Sequence, residues 1–403
     1  LSILTRIKAA LFNRLTVREP DGWVAQGHAS DSGELITDQS ALALSAVWAC
    51  VNLIAGTIAT LPLMIYQQNG TARVVARGHP LFRLLHDSPN FDQTSVDFWE
   101  FMQASIELWG SGFADIERNT AGRVTALVPI QPDIVSVRRL PSGQLEYRWV
   151  RDGSQQVRLD GDMLHIRGFG GSPLGGMSTL HFGRQTFGLA RAVDRAASAT
   201  FKNGMRPSGA LTFDQFLSAE NRKIAEEKLV DKFTGAINSG RPLILEGGTK
   251  WQALTINPED AQMLGSRGFG VEEIARFFGV PPNMIGHTAP STSWGTGLEQ
   301  QTLGFQIFTL RRRLKRIEQA LMKSLLSQTE RANGLIIEFN VEGLLRADSI
   351  GRANFYQKLT MIGAMTINEV RSLENLPPMP GGDIPRVQMQ NQPITEATNA
   401  SAV

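Results

Sequence analysis

The chain has 403 residues, 42% apolar and 19% charged, with 40 basic against 38 acidic side chains and a formal net charge of +2. That length supports two or three domains with a sizeable core and excludes a disordered polymer. The near-zero charge excludes a protein that grips nucleic acid through a broad basic surface, and leaves room only for local or weak contact.

Cys50 is the single cysteine, so no intrachain disulfide can form, which fits assembly in a reducing cytosol. Residues 1–40 read as a loosely ordered arm. Its start, "LSILTRIKAALFNRL", is a short amphipathic segment without a signal-peptide cleavage pattern. The chain begins without methionine, as a sequence lacking its first few residues would.

Residues 39–72 carry no charge, and "ALALSAVWACVNLIAGTIATLPLMIY" is long enough to cross a bilayer. Its alanines and polar residues, with Leu44, Val47, Trp48, Val51, Ala55 and Ile58 at helical spacing, favour instead a buried helix with one apolar face. Pro62 ends that helix, and "LMIYQQNGTARVV" reads as a hairpin around Asn69-Gly70. "SVDFWEFMQASIELWG" is helical up to Gly110. The stretches "FADIERN", "VTALVPI", "IVSVRR", "LEYRWV", "QQVRL" and "DMLHIRGF" are short strands separated by turn residues.

From Gly176 to Phe201 the pattern predicts one long helix of roughly 40 Å, with Leu180, Phe187, Ala190, Val193, Ala197 and Phe201 on one side. Residues 205–256 read as a compact α/β insert. A second helix follows from the start signal Asn257-Pro258-Glu259-Asp260, with a break expected between Gly265 and Gly270. After a neutral loop, Leu303, Ile307, Leu310, Leu314, Ile317 and Leu321 mark a helix of roughly 30 residues with a narrow seam, and Arg311–Arg316 form a basic run on it. That run reads as a solvated face or an intersubunit salt-bridge surface more readily than as a nucleic-acid contact. "LIIEFN" is a strand, the residues after it form a small helical domain, and the tail is polar.

Three motifs invite function. "GSPLGGMS" has the spacing of a phosphate-binding loop, but Met177 stands where the phosphate-binding lysine is required. "VEEIARFFGVPPNMI" resembles the first helix and turn of a helix-turn-helix, but its recognition helix would start at Pro281-Pro282 and carry almost no base-reading side chains. The six histidines are scattered without metal-ligand spacing, His165 reads as a structural residue within a strand, and no serine sits in a nucleophile elbow. No metal, cofactor or catalytic group is indicated.

The order of parts resembles the HK97-like portal proteins of tailed bacteriophages. The resemblance rests on "SAVWACVNLIAGTIATLPLMIYQ", "HPLFRLLHDSPN" with "FWEFMQASIELWGSGFADIERN", "FKNGMRPSGALTF", "PLILEGGTKWQALTINPEDAQML" and "VEEIARFFGVPPNMIGHTAPSTSWGTGLEQQTLGF", in that order, over roughly residues 40–380. It implies an α+β portal-type fold that assembles as a ring. An α/β wing would comprise 41–175 and 298–340, the stem helices 176–204 and 257–279, the clip 205–256, the tunnel loop 280–297 and the helical crown 341–385, with 386–403 a disordered tail. It implies a channel for double-stranded DNA at one capsid vertex, twelve subunits in the virion and no enzyme activity. The implied partners are the terminase large subunit, the head-tail connector, the major capsid protein and scaffold, with no membrane, and the ring would assemble in the host cytoplasm. His287, Thr288, Ser291, Thr292, Ser293 and Trp294 would line the channel. Glu220, Arg222, Lys223, Glu226, Glu227 and Lys228 on the clip helix would contribute to docking. The alternatives at this point are a helix-turn-helix DNA-binding protein at 271–285, a membrane pore or a P-loop NTPase.

Overall fold

The computed structural model describes residues 28–70, 72–202, 209–212, 250–253, 259–287, 296–341, 349–374 and 376–385. The chain divides into two compact units: residues 61–63 with 339–403 form the smaller, and the rest forms the larger.

The larger unit opens with strands β1 (His28–Ala29) and β2 (Leu35–Ile36), which pair antiparallel. Helix α1 (Asp38–Leu42) starts at a capping box between Thr37 and Ser40, which satisfies backbone donors that the first turn leaves free. Helix α2 (Ser45–Ala59) buries Val47, Cys50, Val51, Ile54, Ala55 and Ile58. Trp48, expected on that face, is 57% exposed. The buried stripe centres on Val47, Val51, Ile54 and Ile58, and one residue further round the helix is its edge. Strands β3 (Leu63–Asn69) and β4 (Ala72–Val75) form the expected hairpin, with Gly70 at φ +61° in the turn. Among the described residues no helix is long and apolar enough to cross a membrane.

Helices α3 (Pro80–His86) and α4 (Ser95–Trp109) follow. α4 begins with a Thr94–Asp97 capping box and ends at Gly110, whose φ of +80° suits glycine. Strands β5 (Ser111–Arg118), β6 (Val124–Ile130), β7 (Ser136–Arg139), β8 (Leu145–Arg151), β9 (Ser154–Leu159) and β10 (Met163–Arg167) fall where the sequence places them. They form two antiparallel three-stranded sheets, ordered β10-β5-β6 and β7-β8-β9. Phe113, Val137, Tyr147, Trp149 and Met163 belong to one buried cluster contributed by both sheets.

The expected continuous helix from Gly176 is instead a short helix, α5 (Thr179–Phe182), a break at Gly183 and α6 (Arg184–Lys202). The cause lies upstream. A Cβ at Gly176 would stand 2.3 Å from the Gly110 carbonyl oxygen, and one at Gly168 only 2.7 Å from the same atom. The glycines of "GSPLGGMS" therefore serve backbone-on-backbone packing beside the end of α4, and the helix starts only after that crossing. Strands β11 (Gly209–Thr212) and β12 (Lys250–Ala253) pair antiparallel.

Helix α7 (Glu259–Phe278) runs unbroken through Gly265, Gly268 and Gly270, against the expected break. Glycine in a helix costs up to about 1 kcal/mol relative to alanine, a weak penalty that tertiary packing overrides. α8 (Thr296–Gly304), a six-residue π-helical segment (Phe305–Leu310) and α9 (Arg311–Leu325) form one continuous helical run. Leu310, Leu314, Ile317 and Leu321 are buried as expected, but Leu303 and Ile307 are 52% and 42% exposed. The wider π turn aligns residues five apart, so Phe305 takes the seam position before Leu310 and Ile307 is turned outward. Helix α10 (Gln328–Ala332) leads into β13 (Leu335–Phe339), which joins the hairpin in the order β13-β3-β4.

The smaller unit contains α11 (Ser349–Met361) and α12 (Ile367–Leu373). Tyr356 donates to Glu374 at 2.8 Å and Arg352 pairs with the same carboxylate at 3.2 Å. Asn368, buried, donates to the Met379 carbonyl and accepts from its amide, which fastens the proline-rich segment after α12.

Candidate channel loop and its base

The neutral loop leaves from the C-terminus of α7. Gly279, at φ +70°, ends that helix. The amide of Gly279 donates to the Arg276 carbonyl and that of Val280 to the Ala275 carbonyl, a Schellman arrangement that satisfies the last carbonyls. Pro281 then precedes a single 3-10 turn, Pro282–Ile285, and Gly286 follows at φ +79°. A recognition helix was the requirement of the helix-turn-helix reading, and this four-residue turn does not supply one. His287 folds back toward α7. Its Nε2 lies 3.6 Å from Glu272 Oε1, and its ring would meet a Cβ at Gly268 at 3.7 Å. Thr288, Ser291, Thr292, Ser293 and Trp294 lie outside the described residues, as do Glu220, Arg222, Lys223, Glu226, Glu227 and Lys228.

The chain returns along α8 and the π-helical segment, and there the two sides of the loop are joined. Thr309 Oγ1 donates to the Gly279 carbonyl. Arg313, the first-turn residue of α9 beyond that segment, makes a two-pronged pair with Glu107 of α4, at 2.6 Å from Nε and 3.1 Å from Nη2. Its Nη2 also donates to the Phe278 carbonyl at 3.1 Å, which puts a cation on the negative end of α7. Glu107 accepts further hydrogen bonds from Gln103 at 2.7 Å and from Thr179 of α5 at 3.2 Å. The Glu107 side chain is 4% exposed and that of Arg313 is 14% exposed. Four helices, α4, α5, α7 and α9, thus meet at one buried ion pair whose lone pairs and protons are largely occupied. An ion pair so buried is strong only because its desolvation is offset by this full set of partners.

Sequence reasoning missed this node. It treated Arg311–Arg316 as one surface feature, whereas the structure divides the run. Arg313 is internal, Lys315 bridges Glu318 and Glu338 at 2.7 and 2.9 Å within the same subunit, and Arg311 and Arg312 stay exposed. A signal was available: Glu107 sits in "FMQASIELW", on the apolar stripe of α4, where a carboxylate requires a partner.

The glycine-rich motif closes on itself instead of opening a phosphate cradle. Gly175 donates to the Ser172 carbonyl, and the Gly176 Cα faces backbone atoms of Gly110 and Gly168. His165 is buried between Tyr147 and Ser111, with its Nδ1 3.2 Å from the Tyr147 hydroxyl and its Nε2 3.3 Å from Ser111 Oγ. Burial, with Arg167 nearby, holds its pKa well below the usual histidine value.

Residues 45–375 match the family model described as phage portal protein. The chain is 38% identical over 375 residues to the portal protein of Enterobacteria phage HK97, covering 92% of this chain and 87% of that one. It is 31% identical over 369 residues to the probable portal protein of Streptomyces phage phiC31, covering 88% and 79%. Among solved structures it resembles a chain from the neck of an empty gene transfer agent particle, with TM-score 0.63, 24% identity and coverage of 85% and 93%. It also resembles a crystallised HK97-family portal protein from Corynebacterium diphtheriae, with TM-score 0.56, 18% identity and coverage of 78% and 99%. The chain belongs to the phage portal protein family, and its function is that of a portal at the capsid vertex of a phage or phage-like particle.

Proposed function

We propose that the chain assembles into a closed ring whose channel passes double-stranded DNA, with the neutral loop after His287 lining the narrowest part. The observation that carries this reading is the base of that loop: its two ends are fixed to each other and to α4 by the Glu107–Arg313 pair, while the chain between Arg276 and Glu299 carries polar residues and no charge.

 The loop reads "HTAPSTSWG" over residues 287–295. It is polar and uncharged. In a ring, every loop residue is repeated around the channel. An arginine there would become a ring of positive charge facing a polymer with one phosphate per ~1.7 Å, and DNA would stall on it. Neutral hydroxyl-bearing residues offer weak, exchangeable contacts instead.

On this reading 41–175 with 298–340 form the wing, α6 and α7 the stem, 205–256 the clip and 341–385 the crown. The clip would dock the terminase large subunit and later the head-tail connector. The major capsid protein and scaffold would meet the wing, and assembly would take place in the host cytoplasm. The motor chemistry would belong to the terminase, with none in this chain. The test is to change Ser291 and Thr292 to arginine. Rings should still form by electron microscopy while DNA packaging slows or stops, with a salt dependence that the parent lacks. Normal packaging by such rings would show that this loop does not line the path of the DNA.

A further inference from the structure

The helical run from α8 through the π-helical segment to α9 carries two apolar seams on one sequence. Its α9 part is fixed: Leu314, Ile317 and Leu321 are buried, and Arg313 is bound to Glu107 and to the end of α7. Upstream of Leu310 the structure uses Phe305, 6% exposed, and leaves Leu303 and Ile307 exposed.

Counting back from Leu314 at about 100° per residue gives the other seam. In an uninterrupted α-helix Ile307 and Leu303 would stand within about 20° of Leu314, and Phe305 about 180° away. The sequence therefore supplies a complete α-helical seam that the backbone does not use. One aromatic side chain is buried in the π register and two aliphatic ones in the α register, so burial alone does not decide between them.

The junction of the two helix types shows what does. Arg312 Nε donates to the Phe308 carbonyl at 2.7 Å, and Arg313 Nη1 donates to the Thr309 carbonyl at 3.2 Å. A side chain that reaches into the backbone ladder of a helix is a known cause of local distortion. Arg313 is held by Glu107 in any case, so its bond follows from the node described above. Arg312 is exposed, and its bond is to the π-helical segment itself.

We propose that the run is a two-register switch: Arg312, bonded to the Phe308 carbonyl, holds the π register, and its release lets Leu303 and Ile307 replace Phe305 in the seam. The exchange turns α8 against α9 by about 100°, the angle of one residue. Two packings of one sequence with similar burial are what a bistable element requires. The functional consequence rests on the channel reading given above: α8 brings the chain back from the loop, so the register sets the face that this return presents.

The test uses the full-length chain, diluted below assembly so that no neighbour covers the helix. Leu303, Ile307 and Phe308 are changed to cysteine one at a time, and Cys50, fully buried, stays unreactive. With Arg312 in place all three positions should react with a maleimide, since the native side chains are 52%, 42% and 70% exposed. Arg312→Met removes a charge-assisted bond whose net worth shifts a two-state population by about tenfold. Labelling at positions 303 and 307 should then slow by about two- to tenfold, according to how far the α register is populated beforehand. Position 308, about 120° from Leu314 in the α register, should stay reactive. Phe305→Gln, which takes the aromatic ring out of the seam, should give the same protection with Arg312 untouched. Unchanged rates at 303 and 307 in both variants would overturn the switch. Faster labelling at all three positions, with helical circular dichroism lost, would mean local melting and would overturn it too. Neither result touches the channel reading, which stands or falls with the rings changed at Ser291 and Thr292. Protection at 303 and 307, together with normal packaging by those rings, would establish the switch and remove its link to the channel.

Discussion

Two of the buried polar clusters in the larger unit solve different problems. Around Glu107 and Arg313, full charges are taken out of water and held by Gln103, Thr179 and the Phe278 carbonyl. Around His165, a phenol, an imidazole and a serine hydroxyl meet at 3.2 and 3.3 Å, with Arg167 nearby. The first cluster joins four helices that have no common hydrogen-bond ladder, so long-range charge pairing sets their relative placement. The second lies within and between sheets whose ladders already fix β5 against β10, with Phe113 opposite His165. At the first cluster charge sets position where backbone pairing cannot, and at the second polar contacts accompany pairing that already does.

The strongest way to break this contrast is Glu107→Ala. It leaves the Arg313 guanidinium buried without its carboxylate, and truncating one member of a buried pair costs about 3–5 kcal/mol. Urea unfolding should show that loss. Replacing both residues by methionine should recover much of the stability, because neither charge then remains buried. If the double variant is as unstable as the single one, the helices depend on the charges themselves and not on filled volume.

A second break lies beside the node. Gly176→Ala places a Cβ 2.3 Å from the Gly110 carbonyl oxygen, with the Gly168 backbone at 2.5 Å. The neighbours are backbone atoms, so relief requires moving the end of α4. Overpacking of this kind costs about 1–3 kcal/mol, and differential scanning should read it as a lower midpoint. An unchanged midpoint would mean that the crossing is looser than these distances state.

The neutral cluster answers to pH. His165 has a folded pKa well below its ordinary value, chiefly from burial. Below about pH 6.5 the unfolded chain takes up a proton that the folded chain refuses, so stability falls as pH falls toward the folded pKa, by up to about 1.4 kcal/mol per pH unit. His28 adds to this: burial first, then His181 and Arg184, lower its pKa to about 4. His165→Gln should flatten the acid side of the stability profile from pH 6.5 downward. A profile as steep as the parent's would remove His165 from the account.

Much of the fold is written locally. The Thr94–Asp97 box, Gly110, and the alternation of β5 to β10 each depend on neighbours in sequence, and each is legible there. The node is not, because Glu107 and Arg313 are 206 positions apart and only the folded chain brings them together. The π-helical segment hides for a related reason: Leu303 and Ile307 keep seam spacing in the sequence, and the extra residue per turn becomes visible only in the backbone. The late start of the helix follows from the contacts of Gly168 and Gly176 with Gly110, again distant in the chain.

The smallest effect concerns α7, whose glycines suggested a break that the backbone does not make. Gly268 lies in the helix interior, where a Cβ would meet nothing nearer than the His287 ring at 3.7 Å, an ordinary contact. Gly268→Ala should therefore stabilise the subunit by about 0.5–1 kcal/mol, by reducing the freedom of the unfolded chain without adding strain. Chemical denaturation of the dilute, unassembled subunit would measure this without interference from assembly. A gain there, with ring formation unchanged at higher concentration, would show that the glycine serves no role in the folded subunit beyond tolerance. The same gain accompanied by loss of rings would mean that α7 bends at this position during assembly, and that the sequence's weak point is used after all.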